Sequence, residues 1–293
     1  MNVHETIVWT ACITPLTDDA RHIDYDAFEH TLRRQEAAGN GILLLGTTGE
    51  GASLTSEEKR QIIRWSTTLG LTVPIMVGVP GYQFAETLSC VEWLRGTEVD
   101  ALLLPTPCYT RPGTHGQTHW FRSLLDAAGR PCMLYNVPSR SGVALSPQAV
   151  HQLADHPNCW SIKEASGSLE RFDEFLPTGV ALYSGNDDMM PALGTRGAQG
   201  LVSVAANLWP QATADYARSC MDGTLTEEEQ NLWTAAIAEL FRASNPVPAK
   251  RAMHALGHIP SSALRPPLHP DDLDTLQPLL SCASQIEETT LAA

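Results

Sequence analysis

Short apolar runs alternate with amphipathic stretches through most of this chain. The apolar runs predict β-strands over 8–13, 41–45, 73–79, 101–104, 131–136, 159–163, 180–184 and 200–204. Between them, helical periodicity predicts helices over 24–38, from Thr55, over 84–94, over 117–128, from Ser146, and over 169–176, 188–195 and 211–220. Local signals support the boundaries. Asp24 stands where it would cap the first helix and Gly39 where it would close it, Thr55 and Glu58 have the spacing of a capping box, and Pro147 follows the capping Ser146. Eight strand–helix units with short connections predict an α/β fold, a (β/α)8 TIM barrel closed by its own first strand. The alternative is a doubly wound open sheet, which usually carries a glycine-rich phosphate turn after its first strand. Here that position holds Thr14-Pro15-Leu16-Thr17, which favours the barrel.

Beyond about Thr224 the alternation stops. Helices are expected over 227–242, 249–256 and 271–286, punctuated by Asn245-Pro246-Val247-Pro248 and by the proline-rich stretch 260–270. The expected organisation is a catalytic barrel over 1–223 with a C-terminal helical appendage over 224–293.

Length and composition narrow the field of functions. A chain of 293 residues with 43% hydrophobic residues can bury a large core, and no apolar run approaches the length of a membrane span. The first twenty residues include His4, Glu5, Asp18 and Asp19 and do not read as a secretory signal. A formal net charge of −14 argues against a nucleic-acid partner, because phosphate neutralisation needs clustered cations. An anionic substrate would then be caught by local cations and not by the global field. The seven cysteines are scattered, odd in number and without a C-x-x-C pair, which fits free thiols in a cytoplasmic protein.

Against sixteen arginines the chain has only three lysines. Lys59 follows Glu57 and Glu58 in a polar first helical turn, and Lys250 sits near the start of a helix; a solvated position is the expectation for both. Lys163 alone lies on an apolar strand, beside Trp160 and Ile162. An ammonium there loses hydration, which lowers its pKa, and a neutral amine can attack a carbonyl to form a Schiff base. The alternative is an ion pair with adjacent Glu164, although neighbours on a strand point to opposite faces.

In such barrels the C-terminal strand ends form the active face. Strand two ends in Gly46-Thr47-Thr48-Gly49-Glu50-Gly51, a tight turn with two hydroxyls suited to a small anion but without the lysine of a nucleotide-binding loop. Strand four leads into Cys108-Tyr109, and strand five ends in Tyr135-Asn136-Val137-Pro138-Ser139-Arg140. Gly185-Asn186-Asp187-Asp188 after strand seven is expected to cap a helix and nothing more; strand eight holds Val202. A buried amine, tyrosines, threonines and an arginine suit 2-oxo-acid chemistry. The amine makes an imine, a phenol and a hydroxyl pass protons, and the guanidinium binds a carboxylate. Taken alone, each tyrosine is more simply an interior aromatic.

Gly46-Thr47-Thr48-Gly49-Glu50, Tyr135-Asn136-Val137-Pro138-Ser139-Arg140-Ser141-Gly142 and Ile162-Lys163-Glu164-Ala165-Ser166-Gly167 together resemble the three signatures of the dihydrodipicolinate synthase family. These are class I pyruvate-dependent aldolases of the N-acetylneuraminate lyase superfamily. Asn245-Pro246-Val247-Pro248-Ala249-Lys250 fits the family's helical tail, and Arg140 separates the chain from the sialic acid lyases. The resemblance implies that Lys163 condenses with pyruvate, whose carboxylate sits against Thr47 and Thr48, and that the enamine attacks aspartate semialdehyde. It implies that Arg140 holds the carboxylate of that second substrate. Tyr135, Thr47 and Tyr109 would form a proton relay, Tyr109 reaching in from a neighbouring subunit. The backbone of Gly185 and Val202 would line the pyruvate pocket. It also implies a homotetramer built as a dimer of dimers, no organic cofactor, and a place in lysine and diaminopimelate synthesis.

The chain departs from the family pattern at Cys108, where many members have a second tyrosine. At the lysine feedback site it shows Ser56, Lys59 and Tyr82 in place of histidines and an asparagine, while Glu86 is kept. A like charge at Lys59 implies weak or absent inhibition by lysine. His115 with His119, and His254 with His258, have helical metal-ligand spacing, but no carboxylate completes a site, so packing or solvated histidines and no metal are expected. Two rival functions stand beside this reading: an aldolase of the same superfamily with another acceptor aldehyde, and a non-catalytic 2-oxo-acid sensor.

Overall fold

The computed structural model describes residues 2–292, with side chains through Thr289; positions 1 and 293 of the expected ranges lie outside it. Eight parallel strands form one closed barrel in sequence order. They are β1 (Val8–Ala11), β2 (Gly41–Leu44), β3 (Ile75–Gly78), β4 (Ala101–Pro105), β5 (Cys132–Asn136), β6 (Cys159–Glu164), β7 (Ala181–Ser184) and β8 (Gly200–Ser203). Closure is made by β1 and β8, with Trp9 opposite Val202. The seam depends on Gly200, because a Cβ there would lie 2.0 Å from the Ile7 carbonyl oxygen.

The helices that follow the strands are α1 (Tyr25–Ala37), α2 (Ser56–Thr68), α3 (Phe84–Arg95), α4 (Thr114–Ala128), α5 (Pro138–Ser141), α6 (Pro147–His151), α7 (Leu169–Phe175), α8 (Met190–Gly194) and α9 (Pro210–Asp222). The expected caps form: Asp24 accepts from the Ala27 amide, Thr55 and Glu58 close a full capping box, and Ser146 accepts from the Ala149 amide. The single turn α5 was not anticipated, being too short to show a period.

Two apolar layers follow. Between strands and helices, Phe28, Leu32, Ile42, Phe121, Leu134, Phe172 and many others form the main core. Inside the barrel, Trp9, Ala11, Leu43, Met76, Leu103, Met133, Tyr183 and Val202 fill the lumen, with Tyr135 and Trp160 packed on them. The interior is thus a packed plug on which polar groups at the strand ends can rest.

After α9 come α10 (Glu227–Leu240), α11 (Val247–Ala255) and α12 (Gln277–Ala292). The expected helix over 271–286 starts later, at Gln277, and Pro270–Asp272 is a separate 3-10 turn. Pro278 explains the shift, since a proline is tolerated in the first turn of a helix but breaks one already running. Lys250 also departs from expectation. It is completely buried, with Nζ 2.5 Å from Glu50 Oε1 and 2.8 Å from the Ala263 carbonyl oxygen. The carboxylate that neutralises it lies two hundred residues away in sequence, so its own neighbourhood gave no sign of burial.

Candidate active site

Strand register assembles the centre. Across β5 and β6, Tyr135 stands opposite Lys163 and Asn136 opposite Glu164. Lys163 is 6% exposed, and its Nζ lies 4.5 Å from the centre of the Tyr135 ring. The ion pair with Glu164 does not form. The Glu164 carboxylate instead accepts from Asn136 Nδ2 and from the Ser166 amide, each at 2.6 Å, which ties the ends of β5 and β6 together. Gly185 leaves room for the lysine stem, because a Cβ at that position would meet Lys163 Cε at 2.9 Å and the Ala165 methyl at 2.6 Å.

Burial pushes the Lys163 amine down to about 8; Asp187 pulls it up, and Arg140 adds to the lowering. Asp187 is therefore more than the helix-capping residue expected from sequence. It is buried beside β8, accepting from Ser203 Oγ and from the Val204 amide. Its own carboxyl is pushed up by burial and held back by those hydrogen bonds. Nothing in the local sequence distinguished it from Asp188. Burial also pushes the Tyr135 phenol up to about 12, against the opposing pull of Arg140 and of a hydrogen bond with Thr47. Tyr135 thus keeps its phenolic proton near neutral pH, is hydrogen-bonded with Thr47 and has the Lys163 amine over its ring. Arg140 sits exposed on α5, where its charge reaches both groups.

The turn after β2 brings in the two threonines. Thr47 is half-buried and Thr48 is buried, its Oγ1 accepting from Asn245 Nδ2 at 2.9 Å. Leu45 and Glu50, which bracket the turn, both have left-handed backbones, with φ of 61° and 50°. The Glu50 and Gly51 amides close the turn on the Thr47 and Gly46 carbonyls. Val202 lies in the lumen plug.

Tyr109 is not brought to this cluster within one chain. It is 81% exposed, has φ of 73°, and lies 6.5 Å ring to ring from Tyr82. Of the expected feedback residues, Ser56, Tyr82 and Glu86 are exposed, while Lys59 and Cys108 are half-buried. Burial lowers the Lys59 pKa. Cys108 Sγ lies 3.2 Å from the Gly81 carbonyl oxygen. Of the histidines with helical spacing, His119 packs on Phe84 and His254 contacts the Ile259 carbonyl, while His258 lies three residues past the end of α11, where burial together with Arg34 and His30 pushes it down to about 4. Among the described residues no group of three metal-ligating side chains converges.

The same architecture recurs in known proteins. The family model described as the dihydrodipicolinate synthetase family matches residues 5–286. A 4-hydroxy-tetrahydrodipicolinate synthase of Francisella tularensis subsp. novicida is 42% identical over 283 residues, 96% of each chain. The crystal structure of the dihydrodipicolinate synthase of Cyanidioschyzon merolae with lysine bound superposes with a TM-score of 0.88 at 29% identity, covering 96% of this chain and 99% of that one. The chloride-inhibited enzyme of Acinetobacter baumannii complexed with pyruvate gives 0.86 at 30% identity, with the same coverage. A barrel with its buried lysine at the end of β6, matched along nearly its whole length, places this chain in the dihydrodipicolinate synthetase family.

Proposed function

We propose that the chain is a 4-hydroxy-tetrahydrodipicolinate synthase that condenses pyruvate with aspartate semialdehyde. The observation that carries this reading is the desolvated Lys163 amine lying over the Tyr135 ring. An ordinary lysine is a free amine roughly once in a few thousand molecules at pH 7, whereas one with a pKa near 8 is free about a tenth of the time. The free amine attacks C2 of pyruvate, and loss of water leaves a protonated imine whose nitrogen draws electrons from the neighbouring methyl group. Removal of a methyl proton gives the enamine. The enamine carbon bonds to the aldehyde carbon of the second substrate, and the aldehyde oxygen takes a proton to become the 4-hydroxyl. The amine of that substrate then adds to the imine carbon and expels Lys163, so one water is released overall.

Thr47 and Thr48 hold the pyruvate carboxylate in this scheme, and the backbone at Gly185 and Val202 lines its pocket. Tyr135 moves protons with Thr47, and Arg140, exposed at the mouth, binds the carboxylate of the semialdehyde bidentately. The protein's own lysine supplies the electron sink as a covalent imine, with no organic cofactor. Tyr109 completes the relay of a neighbouring subunit in a dimer of dimers; its exposure and left-handed backbone support an outward reach. Seven unpaired cysteines suit a cytoplasmic enzyme, and no helix among the described residues is long and apolar enough to cross a membrane.

Borohydride with pyruvate should add a stable adduct to wild type by mass spectrometry, on the peptide holding Lys163. Lys163→Ala should gain none and lose turnover; full turnover in that variant would remove the scheme. With pyruvate held constant, only the acceptor aldehyde that supports turnover separates this enzyme from other aldolases of its superfamily, and aspartate semialdehyde is the expected one.

Because only the neutral amine attacks, kcat/KM for pyruvate should climb about tenfold per pH unit below pH 8 and level off above it. A limb centred above pH 10 would show that the amine is solvated.

Mixing Lys163→Ala with Tyr109→Phe subunits should restore activity that neither variant has alone, since a hybrid interface joins an intact lysine to an intact tyrosine. No recovery on verified hybrid oligomers would place Tyr109 outside the relay.

Lysine, finally, should not inhibit at micromolar concentration, because Lys59 puts a like charge where its ammonium would bind. Inhibition in that range in a steady-state assay would refute the assignment of Ser56, Lys59, Tyr82, Glu86 and Cys108 as a disabled feedback site.

A further inference from the structure

The turn that carries Thr47 and Thr48 is gripped from the far end of the chain. Asn245, two residues before the start of α11, is 8% exposed and donates from Nδ2 to Thr48 Oγ1 at 2.9 Å. Five residues later, Lys250 holds Glu50, the last bracket of the turn, while the Arg265 amide takes the other Glu50 oxygen at 2.8 Å. Arg265 continues outward to Glu58 on α2 and to the carbonyls of Ala20 and Arg21. Two points of the turn are therefore fixed by the tail, one neutral and one ionic.

The neutral point has a chemical consequence. A threonine hydroxyl has one proton to give and lone pairs that accept. When Asn245 occupies a lone pair of Oγ1, the proton of Thr48 is directed elsewhere, and a hydroxyl that donates is what a carboxylate requires. We infer that Asn245 is a positioning residue for 2-oxo-acid binding: it sets Thr48 as a hydrogen-bond donor toward the substrate carboxylate, while the Lys250–Glu50 pair holds the turn in register. The assignment rests on the reading of Thr48 as a carboxylate-binding hydroxyl given above. It extends that site to a residue outside the barrel and gives the tail a part in substrate affinity. Asn245 Oδ1, buried and without a partner, is the cost of facing the amide this way.

The test is pyruvate trapping by borohydride without an acceptor aldehyde, followed by intact mass across a pyruvate titration. Wild type is compared with Asn245→Ala, Asn245→Asp, Thr48→Val and the Asn245→Ala/Thr48→Val double variant, with the melting temperature of each recorded. Asn245→Ala should raise the half-saturating pyruvate concentration about tenfold. Asn245→Asp, nearly the same shape, should be at least as poor, because its carboxylate claims the Thr48 proton and repels the substrate. A residue that only filled space would give the opposite order, with aspartate the milder change. The double variant should be no worse than the poorer single, since Asn245 acts through Thr48. If Asn245→Ala does not fold, the order of Asn245→Asp against Thr48→Val on folded protein decides the matter, with half-saturation at the wild-type concentration in Asn245→Asp overturning the inference. Wild-type saturation in Asn245→Ala, or effects that multiply in the double variant, would overturn it as well. A wild type that traps no pyruvate would overturn the functional reading and this inference together, whereas failure in the variants alone leaves the functional reading standing.

Discussion

The site depends on an amine kept out of water. A shift of Lys163 from 10.5 to about 8 corresponds to about 3 kcal/mol of net destabilisation of the charged form in the folded chain, with burial the largest cause. The sign follows from linkage. Below pH 8 both folded and unfolded chains carry the proton, so the whole cost opposes folding; it fades as pH rises toward the ordinary lysine range. A barrel can sustain that cost because the plug beneath the amine is large, with Trp9, Met133, Tyr183 and Val202 packed in the lumen. The register of β5 against β6 then fixes which groups meet the amine. A slip of one residue would turn Lys163 to the other face and break its pairing with Tyr135.

Two of the three lysines are buried, and they show how environment assigns a role. Lys250 has a carboxylate at 2.5 Å and a carbonyl at 2.8 Å, so its ammonium is both neutralised and hydrogen-bonded. A buried pair of that kind is strongly destabilised by removing one partner alone, which suits a structural tie. Lys163 lies over an aromatic face, and its adjacent glutamate is taken up by Asn136 and the Ser166 amide. Asp187 opposes the depression of its pKa without cancelling it. That imbalance leaves the amine easier to deprotonate than an ordinary lysine.

Much of this was legible from the sequence because the decisive signals are local. Period and caps placed all eight strands and the helices opening at Thr55 and Ser146, and a lone lysine on an apolar strand marked the desolvated amine. What was not legible depends on contacts made across the fold. Asp187 and Asp188 read alike until β8 buries one of them. Lys250 looked solvated because Glu50 is two hundred positions away. The value of glycine at 185 is visible only once Lys163 Cε is seen against it. Tyr109 is a different case: its side chain is exposed beside Tyr82, so a relay role for it rests on the resemblance and not on the geometry of one chain.

The same distinction bears on the helices after α9, which the sequence presents as an appendage. The turn after β2 carries two non-glycine residues with left-handed backbones, and such positions cost about 1–3 kcal/mol each unless the surroundings enforce them. Within the barrel, Thr14 Oγ1 donates to the Gly49 carbonyl at 2.8 Å, but the side chains of Thr48 and Glu50 are held by Asn245, Lys250 and the Arg265 amide. A barrel without those contacts would retain its lumen and its lysine. It would lack the groups that hold the Thr48 hydroxyl and the Glu50 carboxylate in place, leaving a buried carboxylate with neither countercharge nor donor. The strained turn and the tail are therefore parts of one device, and the boundary between fold and site runs through the middle of the tail instead of at the end of α9.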